Sequence, residues 1–490
     1  MSDDIDNLSF VVGFPLPFRV LCLVGLGIFG WATNLHGLSL FGIDAASALD
    51  LHTTHDGLGT PITDHRWHSG FKFIEDPWIY YAPVYRLSAL YASFCFLAWV
   101  LYHSATHTNP AYADPFKFIP AICALCVLIA LLTPQNIIEK RERDAFLLSI
   151  RRCLFSPLNR PIFFSDVIFA DVFTSFAKVL GDVWLSICML LPGGSLLALP
   201  PQDGWSRWIL PALMSLPYLI RLRQCLIEYA HPSNISRRPL FNALKYASSF
   251  PVIFLSAAQR LVVSELVAAK GDQATHEAWH GEHPLFRLWL LAALVNSLYS
   301  FWWDVTNDWG FDLLRPNVFP NKPSRPQSLP RPLVLPTLHE RSESLTSVSG
   351  LLTTNSVAHS PHHTSPVPHL HSTHPYGLRP TLLLPLPVYP FIIFLNLILR
   401  LTWGIKLSSH LHAHMQGDGS AFIFWIEIAE ILRRWAWVFV RIEWEIVKRA
   451  QGGGSGKGGK IRDGLDPDAD DREDSYEMVF DSTHREAVDP

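Results

Sequence analysis

The chain has 490 residues, of which 49% are hydrophobic and only 17% charged, with a mean hydropathy of +0.19. That balance excludes an ordinary soluble protein with polar surface on every element. The formal net charge of −4 averages an apolar body with an acidic tail and offers no basic surface for nucleic acid. Seventeen Trp and thirty-one Phe suit helices that meet lipid and end in the headgroup zone.

In chain order, an acidic opening (MSDDID) lacks the basic start of a cleavable signal peptide. Residues 1–17 therefore read as a short tail, and the first span as a retained signal anchor. Apolar segments long enough for a hydrocarbon core of about 30 Å recur at about 18–38, 83–103, 116–134, 167–191, 208–229, 240–262, 285–305, 382–407 and 421–443. The expected fold class is all-α, a polytopic membrane protein of about ten helices, nine clear and one short, the short one at 37–51. Without that helix three spans precede the first basic loop and the N-terminus lies outside; with it, inside. Periodicity leaves this open.

Basic loops carry Lys140, Arg141, Arg143, Arg151, Arg152 and Arg160, then Arg237 and Arg238, then Lys448 and Arg449. These belong on the cytosolic side. The loop at 263–283 is acidic and belongs on the opposite one. Residues 315–380, with twelve Pro and many Ser, Thr and His, read as a disordered cytosolic insertion. Residues 448–490 read as a flexible acidic tail. The domain division is thus 1–17, 18–160 with the first basic loop, 161–447 interrupted by the insertion, and the tail. GSGK at 454–457 lacks the strand and helix of a phosphate loop. Seven cysteines lie mostly in apolar segments; the pair Cys123 and Cys126 reads as packing, not redox or metal chemistry.

Charges inside apolar segments carry the functional signal, because each is costly in a bilayer and ordinarily faces a partner or a water-filled path. Asp304 and Asp308 end the seventh span, four residues apart and so on one helix face, with Asn296 two turns earlier on roughly the same face. Arg221, Lys245, Arg400, Arg433 and Arg434 lie in four other spans. Five cations against two carboxylates give a net positive cavity suited to a small multivalent anion, for which guanidinium groups supply bidentate donors. Arg and Lys also snorkel from helix ends or form structural ion pairs; five charged spans exceed what topology needs. In the fourth span Asp171, Thr174, Lys178 and Asp182 fall near one helical stripe and either line the path or form an intrahelical ladder; Asp166, at the start of that span, is a further candidate for lining the path.

His410, His412 and His414, with the tract His359 to His374, invite a zinc reading. A cationic interior repels a divalent metal, so no metal and no cofactor is expected. No nucleophile and base stand at interpretable spacing, so the chain is not expected to be an enzyme.

Four motifs in order, PYLIRLRQCL at 217–226, FNALKYASSF at 241–250, YSFWWDVTNDWG at 299–310, and LRLTW at 399–403 with RRWAW at 433–437, resemble the EXS-domain family. It includes the xenotropic retrovirus receptor, plant PHO-type exporters and the yeast ER-retention-defective protein. The resemblance spans about residues 18–447 without the insertion. It implies a ten-helix inorganic phosphate exporter with phosphate-site positions at Arg221, Lys245, Tyr246, Asp304, Arg400, Arg433 and Arg434, and Asn296 and Asp308 in the same motifs. The ~17 residues before the first span are too few for the SPX domain of the large exporters; gating by inositol phosphates is expected to be absent or supplied in trans. This domain-less architecture is similar to the yeast protein. The implied role is return of phosphate from Golgi lumen to cytosol, supporting glycosylation and retention of lumenal proteins, with plasma membrane or ER as alternative locations. Expected partners are inorganic phosphate, the lipid bilayer and Golgi glycosyltransferases or sorting factors; a homodimer is left open. The alternative function is a non-transporting membrane receptor or scaffold for Golgi enzyme retention.

Overall fold

The computed structural model describes residues 9–51, 76–156, 162–198, 200, 206–232, 234–270, 284–314, 377–379, 381–412 and 419–453. These form helices and connecting turns, with no strand among the described residues. Residues 1–310 and 381–490 make one unit and residues 311–380 a second. Within the second, the amide of Asp312 donates to Gly377 O at 3.0 Å and the Arg379 guanidinium stacks over Phe311. The predicted disordered insertion and most of the acidic tail lie outside the described residues.

The helices of the first unit are α1 (Leu16–Leu40), α2 (Trp78–Thr106), α3 (Phe118–Leu132), α4 (Lys140–Leu154), α5 (Phe164–Thr174), α6 (Ala177–Leu190), α7 (Ser206–Ala230), α8 (Arg238–Ala247), α9 (Ser249–Lys270), α10 (Pro284–Trp303), α11 (Val388–His412) and α12 (Gly419–Gly453). Three of them, α1, α2 and α10 with its extension to Asp308, are long and apolar enough to cross a membrane, and α5 with α6 form a fourth candidate bent by 62°. The expected count of about ten exceeds what length and apolarity mark. One reason is physical: α7 and α12 have the length, but the charges they bring to the interior lower their hydropathy. Breaks also divide α5 from α6 and α8 from α9.

The short extra helix expected at 37–51 is not found. Gly37–Leu40 belong to α1, and Ala45–Ala48 make a single turn capped by the Asp44 carboxylate on Ser47 N at 3.0 Å. Instead α1 and α12 run parallel. Arg19, near the start of α1, donates to Ser420 O at 3.3 Å, whereas Arg449, near the end of α12, donates to Ser47 O at 3.2 Å. The start of α1 therefore lies at the end of the bundle opposite the basic end of α12.

Apolar residues face both ways, as lipid requires. Phe94, Phe96, Leu97 and Leu101 of α2 and Ile122, Leu125 and Ile129 of α3 are exposed, a surface too apolar for water. Inward, Phe18, Leu21, Tyr102, Ile119, Cys123 and Met189 tie α1, α2, α3 and α6 together. Val20, Leu23, Val179, Phe424 and Ile431 tie α1, α6 and α12. Cys123 thus packs, and the described cysteines form no disulfide.

Arg143 of α4 shows how a basic loop residue serves the fold. Thr133 and Pro134 end α3, whose last carbonyls lack intrahelical donors. The buried Arg143 guanidinium donates to six carbonyls, those of Ala130, Leu131, Thr133, Gln135, Ile137 and Ile138. Arg143→Met leaves several of these unsatisfied and is expected to destabilise the protein by on the order of 3 kcal/mol. A thermal midpoint in detergent equal to that of the parent contradicts this account.

Candidate anion site

Three helix breaks position the site. Between α5 and α6 the chain turns at Ser175 and Phe176, between α8 and α9 at Ser248, and α10 ends in a π-turn over Asp304–Asp308 in which Trp309 N donates to Asp304 O at 2.9 Å. Broken helices are tolerated in membranes where protein or a polar cavity satisfies the freed backbone groups, and π-turns recur at functional sites. Gly310 closes the π-turn at φ +68°, and a Cβ there would meet the Trp444 ring at 2.5 Å. This position needs glycine on both counts.

The π-turn aims its two carboxylates at one ammonium. Lys245 Nζ reaches Asp304 Oδ1 at 3.2 Å and Asp308 Oδ2 at 3.1 Å, and Trp303 Nε1 donates to the other oxygen of Asp308 at 3.2 Å. Asp304 is fully buried. Its Oδ2 accepts from Arg400 Nη2 at 2.5 Å and Asn396 Nδ2 at 3.3 Å, with Arg433 Nη1 at 3.9 Å. One carboxylate thus joins cations from α8, α11 and α12. Asp304, Asp308, Lys245, Arg400 and Arg433, drawn from four separate apolar segments, are thus brought together.

Beside it, Asp171 Oδ1 accepts from Arg221 Nε at 2.9 Å and Tyr246 OH at 2.5 Å. Both Arg221 and Lys245 lie about 5 Å from the Tyr246 ring centre, near enough for cation–π attraction. Arg221 Nη1 donates to Gln224 Oε1 at 2.5 Å. On α12, Arg433 grips Glu430 with two donors, Nε at 2.9 Å and Nη2 at 2.5 Å, and reaches Asn396 Oδ1 at 3.1 Å. Asn396 therefore bridges Asp304 and Arg433.

Arg434 differs from the rest. Its Nε donates to Ser175 Oγ at 3.2 Å and its Nη2 to Thr174 Oγ1 at 2.9 Å, both at the α5/α6 break, and it stacks over Trp437. It makes no ion pair among the described residues, and its buried Nη1 has no hydrogen bond. A guanidinium with a free edge beside two hydroxyls at a helix break is a ready set of donors for an oxyanion.

The charge balance needs correction. The five predicted cations meet four carboxylates, because Asp171 and Glu430 join Asp304 and Asp308. The site is close to neutral, with an excess of one positive charge. Glu430 was overlooked in the sequence, although its spacing of three before Arg433 is that of an intrahelical pair.

Other predicted residues lie apart. Asn296 accepts from Ser248 and Ser249 Oγ at 2.8 and 3.2 Å, bracing the α8/α9 break without bonding a cation. Asp166 pairs with Arg152 of α4 at 2.7 Å, away from the cluster. Lys178 and Asp182 form an intrahelical pair that also reaches Glu427 of α12. The four acidic and basic residues of the fourth span thus make no single ladder: only Asp171 enters the site. The side chains of His410, His412, His414 and the 359–374 tract lie outside the described residues.

Long apolar helices, broken where a buried knot of guanidinium, ammonium and carboxylate groups gathers, define a helical membrane protein with a charged interior site. The chain belongs to the EXS family, whose profile matches residues 14–447. It is 26% identical over 460 residues to Protein ERD1 homolog 2 of Schizosaccharomyces pombe, covering 88% of this chain and 98% of that one. To Protein ERD1 of Saccharomyces cerevisiae it is 29% identical over 200 residues, 40% of this chain and 45% of that one. To Phosphate transporter PHO1 homolog 1 of Arabidopsis thaliana it is 24% identical over 344 residues, 68% of this chain and 33% of that one.

Proposed function

We propose that this protein moves inorganic phosphate through the bundle, returning it from the Golgi lumen to the cytosol down its gradient and without a covalent step. The observation that carries the reading is Arg434, a buried cation with a free edge and no carboxylate, set between two hydroxyls and next to Arg433. The family and the similarity to a relative named as a phosphate transporter support it. Asp304 would hold Lys245, Arg400 and Arg433 in register while phosphate binds, and the near balance of charge would keep binding weak enough for release. Glu430, whose side chain is 36% exposed, is the carboxylate able to turn toward water and free Arg433 for the anion. Glycosyl transfer from nucleotide sugars ultimately liberates phosphate in the lumen, which gives the return path a chemical rationale.

The competing reading, a scaffold that retains Golgi enzymes, makes opposite demands. In cells lacking the protein, Lys245→Ala and Arg400→Ala are expected to fail in restoring phosphate release and retention, while removal of residues 320–378 leaves both intact. Restoration by the charge variants combined with failure of the deletion contradicts the transport reading.

A further inference from the structure

A second charged cluster lies one to two turns from Arg434 toward the starts of α1 and α12. Ser175, which bonds both Arg434 and Glu430, is followed one turn later on α6 by Lys178. The ammonium of Lys178 binds Asp182 on its own helix and reaches Glu427 Oε1 at 3.4 Å. Arg19 comes in from α1, close enough to act electrostatically on Asp182 and Glu427. Glu427 is one turn from Glu430 and two from Arg434, about 10 Å along α12. Where α7 crosses this stretch at Gly181, it meets it with Leu210 and Met214. The charged groups on the three helices are therefore Arg19, Lys178, Asp182 and Glu427, with Glu430 and Arg434 beyond.

Two features separate this cluster from a closed structural ion pair. First, it is underbonded: Arg19 Nε, Ser186 Oγ and Ser420 Oγ are buried without a hydrogen bond, and Glu427 Oε1 has the long 3.4 Å contact to Lys178. Arg19 and Glu427 are only 8% and 7% exposed, and such groups are ordinarily satisfied by water or a ligand. Second, it is open on one side, since the Lys178 side chain keeps 33% exposure. Two carboxylates share that one ammonium, and a proton on Glu427 would supply a donor the pair lacks.

We propose that Arg19, Lys178, Asp182 and Glu427 form a second, proton-gated anion station through which phosphate passes together with one proton. With all four groups ionised the station is neutral and does not attract an anion. A proton taken up by the Glu427 carboxylate leaves two cations against one carboxylate, and the free N–H of Arg19, the Lys178 ammonium and the Ser186 and Ser420 hydroxyls then receive the oxyanion. Loss of that proton on the far side restores neutrality and hastens the anion's departure; a station held permanently at one positive charge still exchanges anion, but without a dependence on pH. One proton and one phosphate cross, with no bond to phosphorus made or broken. The inference rests on the phosphate reading above.

The test uses the full-length protein in lipid vesicles, with labelled phosphate flux followed as donor pH falls from about 7.5 to about 6. A step that needs one bound proton rises by up to about one decade per pH unit. The parent is expected to approach that slope and Glu427→Asp to keep it. Glu427→Gln is expected to carry phosphate with less than about a twofold change over the range. Phosphate's own titration is common to all three proteins, so the difference between them isolates the side chain. A parental slope in Glu427→Gln, or no flux from folded Glu427→Gln at any pH, overturns the station while leaving the phosphate reading in place. Absence of phosphate flux from the parent overturns both. If Glu427→Gln does not fold, Asp182→Asn reads the same loss of slope at the other carboxylate on Lys178.

Discussion

Asp304→Asn is expected to remove both phosphate flux and a large part of the stability of the fold. The carboxylate is fully buried and accepts from Lys245, Arg400 and Asn396 while lying 3.9 Å from Arg433. The amide keeps the shape but none of the charge, so three cations from three helices are left facing one another. Removing one partner of a buried ion pair costs about 3–5 kcal/mol. Here the loss is shared by several pairs and partly limited by Asp308, which still holds Lys245 at 3.1 Å. The thermal midpoint in detergent should fall steeply, and vesicles containing whatever protein survives should be silent. Asp304→Glu keeps the charge but lengthens the arm into a packed π-turn, and is expected to recover stability in part with little flux. A variant Asp304→Asn as stable and as active as the parent would mean that the cluster is ornamental.

Arg434→Met is expected to separate the two properties. No carboxylate among the described residues forms an ion pair with Arg434, so its loss directly strands only the hydroxyls of Thr174 and Ser175, which retain Asp171 O and Glu430 as acceptors. Stability should change by roughly 1 kcal/mol. Phosphate flux should fall on the order of 100-fold, the loss anticipated when one partner of a buried, hydrogen-bonded charge pair is truncated. Arg434→Lys restores the charge without the planar fork, and an intermediate flux is expected. Equal losses of flux and stability would instead make Arg434 a structural residue.

The difference between the two residues was only partly legible in the sequence. Charges stand out against apolar runs, so Arg221, Lys245, Asp304, Arg400, Arg433 and Arg434 could be collected before any contact was visible, and the helical class followed from the length of those runs. Which cation lacks a counter-charge was not legible. That depends on Glu430, which sits near two arginines on a helix whose charges had been read as cationic, and on Asp171, which the spacing tied equally well to its own helix. The π-turn was hidden as well: a spacing of four puts Asp304 and Asp308 on one face of an ordinary helix, and nothing in that spacing singles out Lys245 as the ammonium both carboxylates meet. The parallel course of α1 and α12 rests on Arg19 and Arg449 meeting backbone oxygens some 400 residues away in sequence. No periodicity encodes such a contact.

Arg19, Glu427, Ser186 and Ser420 illustrate the same limit from another side. Each is unremarkable in its own segment. Only the packing of α1 against α6 and α12 brings Arg19 and Glu427 into one cluster, with Arg19 Nε, Ser186 Oγ and Ser420 Oγ buried without a hydrogen bond.

The central claim is most directly tested by purified protein in sealed vesicles loaded with labelled phosphate or labelled sulfate. Phosphate should leave faster than from protein-free vesicles and faster than sulfate, and Arg434→Met should return the phosphate rate to the protein-free level. Phosphate release no faster than from empty vesicles, or undiminished in Arg434→Met, would contradict it.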